Sequence, residues 1–220
     1  MVFLAAIKKD DPHFNHHRRW CGDSHWNWNN GEQLQIICYT NCEEAELFIN
    51  EKSLGTKKLN DSQGHITWDS PFEEGTLKVV AKGHDGTLCS YELSTASKPE
   101  KIAITCDSRE LKADGQDIAH IELQITDENG KSVYLADDLI KLSIEGPGEI
   151  IGIENGDAQD LQPYSSKERK AYHGKLLAYI RTKNVAGQII VKAESQGLES
   201  AQIAISTIGV RVGEGSPLPK

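Results

Sequence analysis

The sequence predicts an all-β protein made of two tandem antiparallel β-sandwiches. Apolar residues recur at every second position from about residue 33 onward, and Gly- and Asp-rich turns separate the short runs. Beyond the first 20 residues, no long stretch shows the apolar stripe of a helix. Short strands at this spacing, with turn residues between them, are typical of sandwiches.

The first set of strands begins where Leu34, Ile36 and Cys38 alternate with other residues, as expected for a half-buried strand. Further runs of this kind lie at 45–49, 66–68, 77–81 and 88–91. A turn is expected at 50–53, and Asp- and Gly-rich segments separate the later runs.

A small, polar, proline-containing segment at 94–100 predicts a domain boundary. The alternation then restarts at 102–104, 121–125, 139–144, 176–180, 189–193 and 201–205. Gly130 closes a predicted hairpin at 127–130. We therefore divide the chain into an N-terminal segment (1–20), a first sandwich (21–96), a second sandwich (97–208) and a tail (209–220).

The net charge of −9 argues against nucleic acid or an anionic membrane as a partner, because both require a basic face. The acidic excess lies on the two predicted sandwiches, and both ends are slightly basic. No apolar run approaches the roughly 20 residues of a membrane span. The short apolar run at 1–7 precedes Lys8 and Lys9, which is the wrong order for an export signal.

Neither the cysteines nor the histidines predict a metal or disulfide site. The five cysteines form no Cys-x-x-Cys pair, and Cys38 is expected to be a small buried apolar residue in a domain that needs no disulfide framework. The front end is rich in histidine, but its spacing lacks the carboxylate of a zinc-protease helix and predicts an exposed polar segment (His13, His16, His17, His25).

The carboxylates and glycines show no catalytic pattern. Adjacent pairs at 43–44, 73–74 and 137–138 point to opposite sides of a strand and are expected to be solvated. Asp114, Asp117 and Asp157 lack the spacing of a calcium loop. The Gly-rich segments at 146–148 and 152–157 precede no helix, so we expect tight corners, with no phosphate loop, cofactor or metal.

The remaining candidate is the aromatic segment at 24–31. Trp26 and Trp28 are two positions apart, so in an extended strand they would project to the same side, with Asn27 and Asn29 facing the other way. Exposed, the indoles would form a platform for a sugar ring; buried, they would anchor one domain on another, and chemistry alone favours burial.

This segment opens a longer resemblance. Asp23-Ser-His-Trp-Asn-Trp28, Cys38-Tyr-Thr-Asn41 and Glu46-Leu-Phe-Ile-Asn50 with Ser53-Leu-Gly55 resemble the immunoglobulin-like domain that follows the catalytic barrel in β-galactosidase-like enzymes of glycoside hydrolase family 2. Glu51 stands where that pattern has Gly, which implies a change in the turn but not in the fold.

The second half is similar to the next domain of those enzymes, through Leu111-Lys-Ala-Asp-Gly115, Asp127-Glu-Asn-Gly130, Ala136-Asp-Asp-Leu139, Gly146-Pro-Gly148, Asn155-Gly-Asp157 and Arg169-Lys-Ala-Tyr-His-Gly174. The resemblance covers roughly residues 20–208 and implies two immunoglobulin-like sandwiches. More loosely, the chain resembles the immunoglobulin-like repeats of bacterial adhesins.

The resemblance implies a non-catalytic C-terminal region that buttresses a barrel or shapes its active-site entrance. Residues 1–20 resemble the exit of that barrel, which itself needs roughly 250 residues, so no catalytic residue can be placed here. The candidate contacts to the barrel, to carbohydrate or to a second copy are Trp20, His25, Trp26, Asn27 and Trp28. A carbohydrate-binding module and an adhesin-like spacer are the alternatives, and a periplasmic or extracellular location is implied.

Overall fold

The computed structural model describes residues 1–9, 22–59 and 64–209, and within these ranges it contains sixteen strands and no helix. No segment there forms a helix long and apolar enough to cross a membrane. The chain divides into two compact units, unit 1 (Met1–Ala96) and unit 2 (Ser97–Lys220). The predicted all-β fold is confirmed.

Unit 1 is a sandwich of a three-stranded sheet, in the order β1-β2-β5, and a four-stranded sheet, in the order β4-β3-β6-β7. All its pairings are antiparallel. Its strands are β1 (Val2–Lys8), β2 (Gln33–Thr40), β3 (Glu44–Ile49), β4 (Lys52–Lys58), β5 (Ile66–Pro71), β6 (Thr76–Lys82) and β7 (Leu88–Ser94).

Alternation along the strands builds the core of unit 1. In β3, Ala45, Leu47 and Ile49 are buried while the residues between them are partly exposed. Leu77 and Val79 of β6 are fully buried in the same core. Because side chains of a strand alternate between its faces, one face of each strand supplies apolar area to the interior.

The N-terminal strand differs from the expectation for residues 1–20. Val2–Lys8 pairs along its length with β2, from Val2 opposite Thr40 to Lys8 opposite Leu34. Leu4 and Ala6 are fully buried in the core of unit 1. This part of the predicted barrel exit is therefore the edge strand of the first sandwich, since its apolar side chains complete that core.

The turn between β3 and β4 keeps a tight two-residue geometry despite the missing glycine. Asn50 and Glu51 have φ angles of 48° and 68°, and Ile49 pairs with Lys52. Positive φ at both central positions is the mark of a type I′ hairpin turn. Glu51 thus adopts a left-handed conformation that an L-residue with a Cβ disfavours.

Unit 2 is a sandwich of a four-stranded sheet, in the order β12-β14-β10-β8, and a five-stranded sheet, in the order β13-β11-β15-β16-β9. The pairing of β9 with β16 is parallel, in contrast to the antiparallel pairs elsewhere in the two sheets. Its strands are β8 (Lys101–Cys106), β9 (Glu110–Lys112), β10 (Ile118–Thr126), β11 (Leu139–Glu145), β12 (Gly148–Glu154), β13 (Glu168–Lys170), β14 (Lys175–Thr182), β15 (Gly187–Glu194) and β16 (Ala201–Ile208).

The Gly-rich segments of unit 2 divide between a corner and a strand. Gly146 has a φ of 89°, and a Cβ there would lie 2.0 Å from the carbonyl oxygen of Gln188, so the predicted corner at 146–148 requires glycine. The corner predicted at 152–157 is only partly correct. Gly152–Glu154 belongs to β12, where the ladder to β14 shifts register between Ile150 and Gly152.

The turn predicted at 127–130 is present, but it is not a hairpin between two long strands. Gly130 has a φ of 79° and donates its N–H to the carbonyl of Asp127. The chain returns through a single bridge between Thr126 and Ser132, after which it leaves the sheet. The next strand, β11, lies in the other sheet of unit 2.

Candidate functional site

The aromatic segment predicted as the candidate site has irregular backbone and lies, along the chain, between β1 and β2 of unit 1. At its start, the backbones of Asp23 and Ala6 exchange two hydrogen bonds of 2.9 Å. At its end, the N–H of Gly31 donates to the carbonyl of Phe72. The residues between are not in a strand, so Trp26 and Trp28 are free to face different surroundings.

Trp26 is buried at the centre of this segment. Its side chain has an exposure of 0%, and its ring lies edge-on to Phe72 with centroids 5.2 Å apart. The indole Nε1–H donates to the carbonyl of Glu73 at 3.0 Å. A buried indole with a satisfied donor fixes the position of the turn after β5.

Asn27 ties the segment to the end of unit 1. Its Nδ2 donates to the carbonyl oxygen of Ala96 at 2.7 Å, and its Oδ1 accepts the N–H of Ala96 at 3.0 Å. The side-chain amide of Asn27 therefore bonds to the backbone of Ala96 as a neighbouring strand would, with one donated and one accepted hydrogen bond. This holds the last residue of unit 1 in place.

His25 and Trp28 form a stacked pair with a cation above it. Their ring centroids lie 4.4 Å apart, and the ammonium of Lys8 is 5.7 Å from the Trp28 ring centroid. The N–H of Asn27 donates to Nδ1 of the buried His25, which assigns the ring proton to Nε2. The indole Nε1 of Trp28 is buried and has no acceptor among the described residues.

The segment thus acts as an internal anchor and not as an aromatic platform. Trp26 binds the β5–β6 turn, Asn27 binds Ala96, and Trp28 packs with His25 and Lys8. Chemistry alone favours burial of the indoles, and the side chain of Trp26 is buried in the core of unit 1, so it presents no face to carbohydrate or to a second copy. Trp20 lies outside the described residues.

One open hollow borders the anchor. It has a volume of about 500 Å³ and is lined by Trp28, Asn30, Asn50, Phe72, Glu73, Glu74 and Thr95. Trp28 is the indole that lines it, and its ring also stacks on His25 and lies near the ammonium of Lys8. A ligand of this segment would therefore meet carboxylates and amides more than a free aromatic face.

The described residues contain no cluster of three or more His, Cys, Asp or Glu side chains placed to hold a metal ion. Asp114 accepts the N–H groups of Gln116 and Asp117, and Asp117 accepts that of Lys112. These carboxylates cap turns. The front-end histidines at 13, 16 and 17 lie outside the described residues.

Two charged side chains of unit 2 are buried, although the sequence predicts neither their burial nor their contacts. Arg169, 1% exposed, forms an ion pair with Asp160 and donates to the carbonyls of Gln162 and Pro163 at 2.7 and 3.0 Å. The backbone N–H of Gln162 and the guanidinium of Arg169 lower the pKa of Asp160. Arg169 therefore organises the loop that precedes β13.

Asp127 is the other buried charge, with an exposure of 1%. Its two oxygens accept N–H groups from Ser97, Asn129 and Lys131 at 3.0, 2.9 and 2.8 Å. Burial alone would raise the pKa of Asp127, but these donors outweigh it and the pKa is lowered. Among the described residues, neither Asp127 nor Asp160 is hydrogen-bonded to a second carboxyl group, whereas general acid–base catalysis uses paired acids.

The fold and the anchor define a tandem immunoglobulin-like module whose polar and aromatic motifs are used internally. Residues 102–204 match the family model described as glycoside hydrolase family 2 C-terminal domain 5, and residues 31–89 match a domain of unknown function, DUF4982. Residues 102–204 therefore correspond to a C-terminal domain of glycoside hydrolase family 2.

Known proteins match nearly the whole chain but only part of their own length. The β-galactosidase BoGH2A of Bacteroides ovatus is 36% identical over 213 residues, covering 94% of this chain and 25% of its own. A β-galactosidase of Thermoanaerobacter pseudethanolicus is 27% identical over 195 residues, covering 81% and 24%. The chain thus spans about a quarter of these relatives.

Among solved structures, a glycosyl hydrolase family 2 member from Bacteroides cellulosilyticus superimposes with a TM-score of 0.83 at 30% identity. The match covers 94% of this chain and 28% of that one. The same arrangement of strands therefore occurs within a longer family 2 hydrolase.

Proposed function

We propose that this chain is a non-catalytic accessory region of a β-galactosidase-like glycoside hydrolase, and that its partner is the catalytic barrel of that enzyme. The observation that carries the proposal is the match of 94% of the chain to only 25% of a β-galactosidase. Its role is to buttress the barrel or to shape the entrance of its active site.

The use of the chain's residues supports this proposal. A family 2 barrel needs roughly 250 residues, whereas the described parts of this 220-residue chain are taken up by two sandwiches. Retaining glycosidases need two carboxylates about 5 Å apart with different proton affinities. Asp127, which is buried, and Asp160, which is partly exposed, each hold loop backbone or a guanidinium.

The partner proposal is tested with the reading frame upstream of Met1 and with the barrel it encodes. We expect a continuous frame that encodes a (β/α)₈ barrel with paired glutamates. The barrel expressed without this chain should lose thermal stability or activity, and adding the purified chain should restore part of it. A barrel with full stability and activity alone, unaffected by the added chain, would contradict the proposed partnership.

The alternative of a carbohydrate-binding module is tested at the hollow beside Trp28. Affinity electrophoresis in polysaccharide gels and calorimetry with galacto-oligosaccharides should show no binding, since Trp26 is buried and Trp28 is stacked on His25. Retardation that disappears in a Trp28→Ala variant, and persists in a Tyr164→Ala control from unit 2, would establish the module instead.

A further inference from the structure

Two cysteine thiols lie in contact on the interior side of unit 1. Cys42, in the loop between β2 and β3, is 7% exposed, and Cys89, the second residue of β7, is partly exposed. Their sulfur atoms are 3.4 Å apart, although the residues are 47 positions apart in the chain. A disulfide has a sulfur–sulfur distance of about 2.0 Å, so bond formation requires a shift of little more than an ångström.

The backbone on both sides holds the two thiols in place. The N–H of Cys42 donates to Oγ1 of Thr40 at 3.0 Å, and the next residue, Glu43, donates to the carbonyl of Lys82. Cys89 pairs with Ala81 in the β6–β7 ladder. These backbone hydrogen bonds therefore hold both cysteines next to the end of β6.

We propose that Cys42 and Cys89 form a disulfide within unit 1 when the folded chain meets an oxidising thiol–disulfide couple such as oxidised glutathione. The thiolate of Cys89, the more exposed of the two, attacks the glutathione disulfide and releases one glutathione thiolate. The thiolate of Cys42 then attacks the Cys89 sulfur and releases the second. Two protein thiols are oxidised, one glutathione disulfide is reduced to two glutathiones, and the protein protons pass to the released thiolates.

The surroundings determine which cysteines take part and how fast. Burial, followed by the hydrogen bond with Cys42, raises the pKa of Cys89, so exchange should be faster at pH 8.5 than at pH 7. Cys38 is fully buried, and burial raises its pKa to about 12, so it should remain reduced. Cys106 belongs to unit 2 and serves as the control thiol.

The bond would stabilise unit 1 by restricting its unfolded chain. It closes a loop spanning 47 positions, for which a rise in the melting temperature of roughly 5–15 °C is expected. All four tryptophans lie within residues 1–96, so tryptophan fluorescence reports the melting of unit 1 alone. Dithiothreitol should reverse the rise.

The test oxidises the full chain with glutathione disulfide at pH 8.5, blocks remaining thiols and maps the peptides by mass spectrometry. We expect a Cys42–Cys89 linked peptide, about 2 Da lighter than the two reduced peptides together, and the higher melting temperature. A Cys106→Ala variant should behave identically, whereas Cys42→Ala and Cys89→Ala should gain no such rise. If Cys42 and Cys89 of the unaltered folded chain are recovered separately, blocked or glutathione-bound, the proposal is overturned, whatever the variants do.

Discussion

At the scale of single residues, the aromatic and charged side chains that attract attention in the sequence hold backbone in place within each sandwich. Trp26 is fully buried and bonded to Glu73, Asn27 mimics a strand toward Ala96, and Arg169 reaches loop carbonyls with its guanidinium. A polar group buried without a partner would cost about 1–3 kcal/mol. The internal hydrogen bonds of these groups avoid that cost within each sandwich.

Trp26 gives the sharpest prediction at this scale. Trp26→Ala removes a fully buried indole, so unit 1 should lose about 4 kcal/mol of unfolding free energy. Trp28→Ala, which removes a partly buried indole, should cost less than about 2 kcal/mol. Urea unfolding followed by tryptophan fluorescence measures both, and equal losses in the two variants would contradict the assignment of Trp26 as the anchor.

At the scale of elements, the β3–β4 hairpin forms with an unfavourable residue in its turn. Glu51→Gly should raise the unfolding free energy by about 1 kcal/mol, because glycine adopts the observed φ of 68° without the penalty of a Cβ. Lys52→Gly, at the first residue of β4, should destabilise instead, since glycine weakens a strand. Urea midpoints measure both changes, and a destabilised Glu51→Gly variant would show that the turn is not strained.

Asp127, in the turn after β10, should make the stability of unit 2 depend on pH in the acid range. The pKa of Asp127 is lowered in the folded chain, so its contribution is fully present above its unfolded pKa of about 4 and is lost as the pH falls through the folded value. Asp127→Asn should cost about 2 kcal/mol at pH 7, because an amide cannot accept all of these N–H donors. This deficit should shrink below pH 4.

The matched control is Asp137→Asn, which makes the same change of charge at an exposed carboxylate paired with Lys170. Circular dichroism melting between pH 7 and pH 3 follows both variants. A deficit for Asp127→Asn that stays constant over this range, or one that Asp137→Asn equals, would refute the role of Asp127.

Hydrophobic alternation explains which elements could be predicted from the sequence. β3, β6 and β10 are predictable because their buried apolar side chains fall on alternate positions. β4 was missed because almost every residue in it is exposed, so it has no apolar period and relies on pairing with β3. β1 was missed for the opposite reason, since it is buried almost continuously.

The candidate site was predicted by residue but not by environment. The rule that positions i and i+2 share a side holds for an extended strand, whereas the segment around Trp26 is irregular and turns its two indoles into different surroundings. The contact between Cys42 and Cys89 and the ion pair between Arg169 and Asp160 depend on tertiary structure. No spacing in the sequence encodes them.

At the scale of the whole molecule, the described residues form two β-sandwiches, and the sequence has a net charge of −9 and no recognisable catalytic motif. Each unit has its own core and its own internally bonded loops. Together with the match to about a quarter of family 2 β-galactosidases, this supports an accessory region that acts through a separate catalytic barrel.

The most direct test of this account is the hydrolysis of a chromogenic β-galactoside by the purified 220-residue chain. A full-length family 2 β-galactosidase serves as the positive control, and a mock purification gives the background. We expect a rate no higher than that background at every pH at which the chain is folded. Turnover above it, proportional to the concentration of the chain, would contradict the central claim that this polypeptide is non-catalytic.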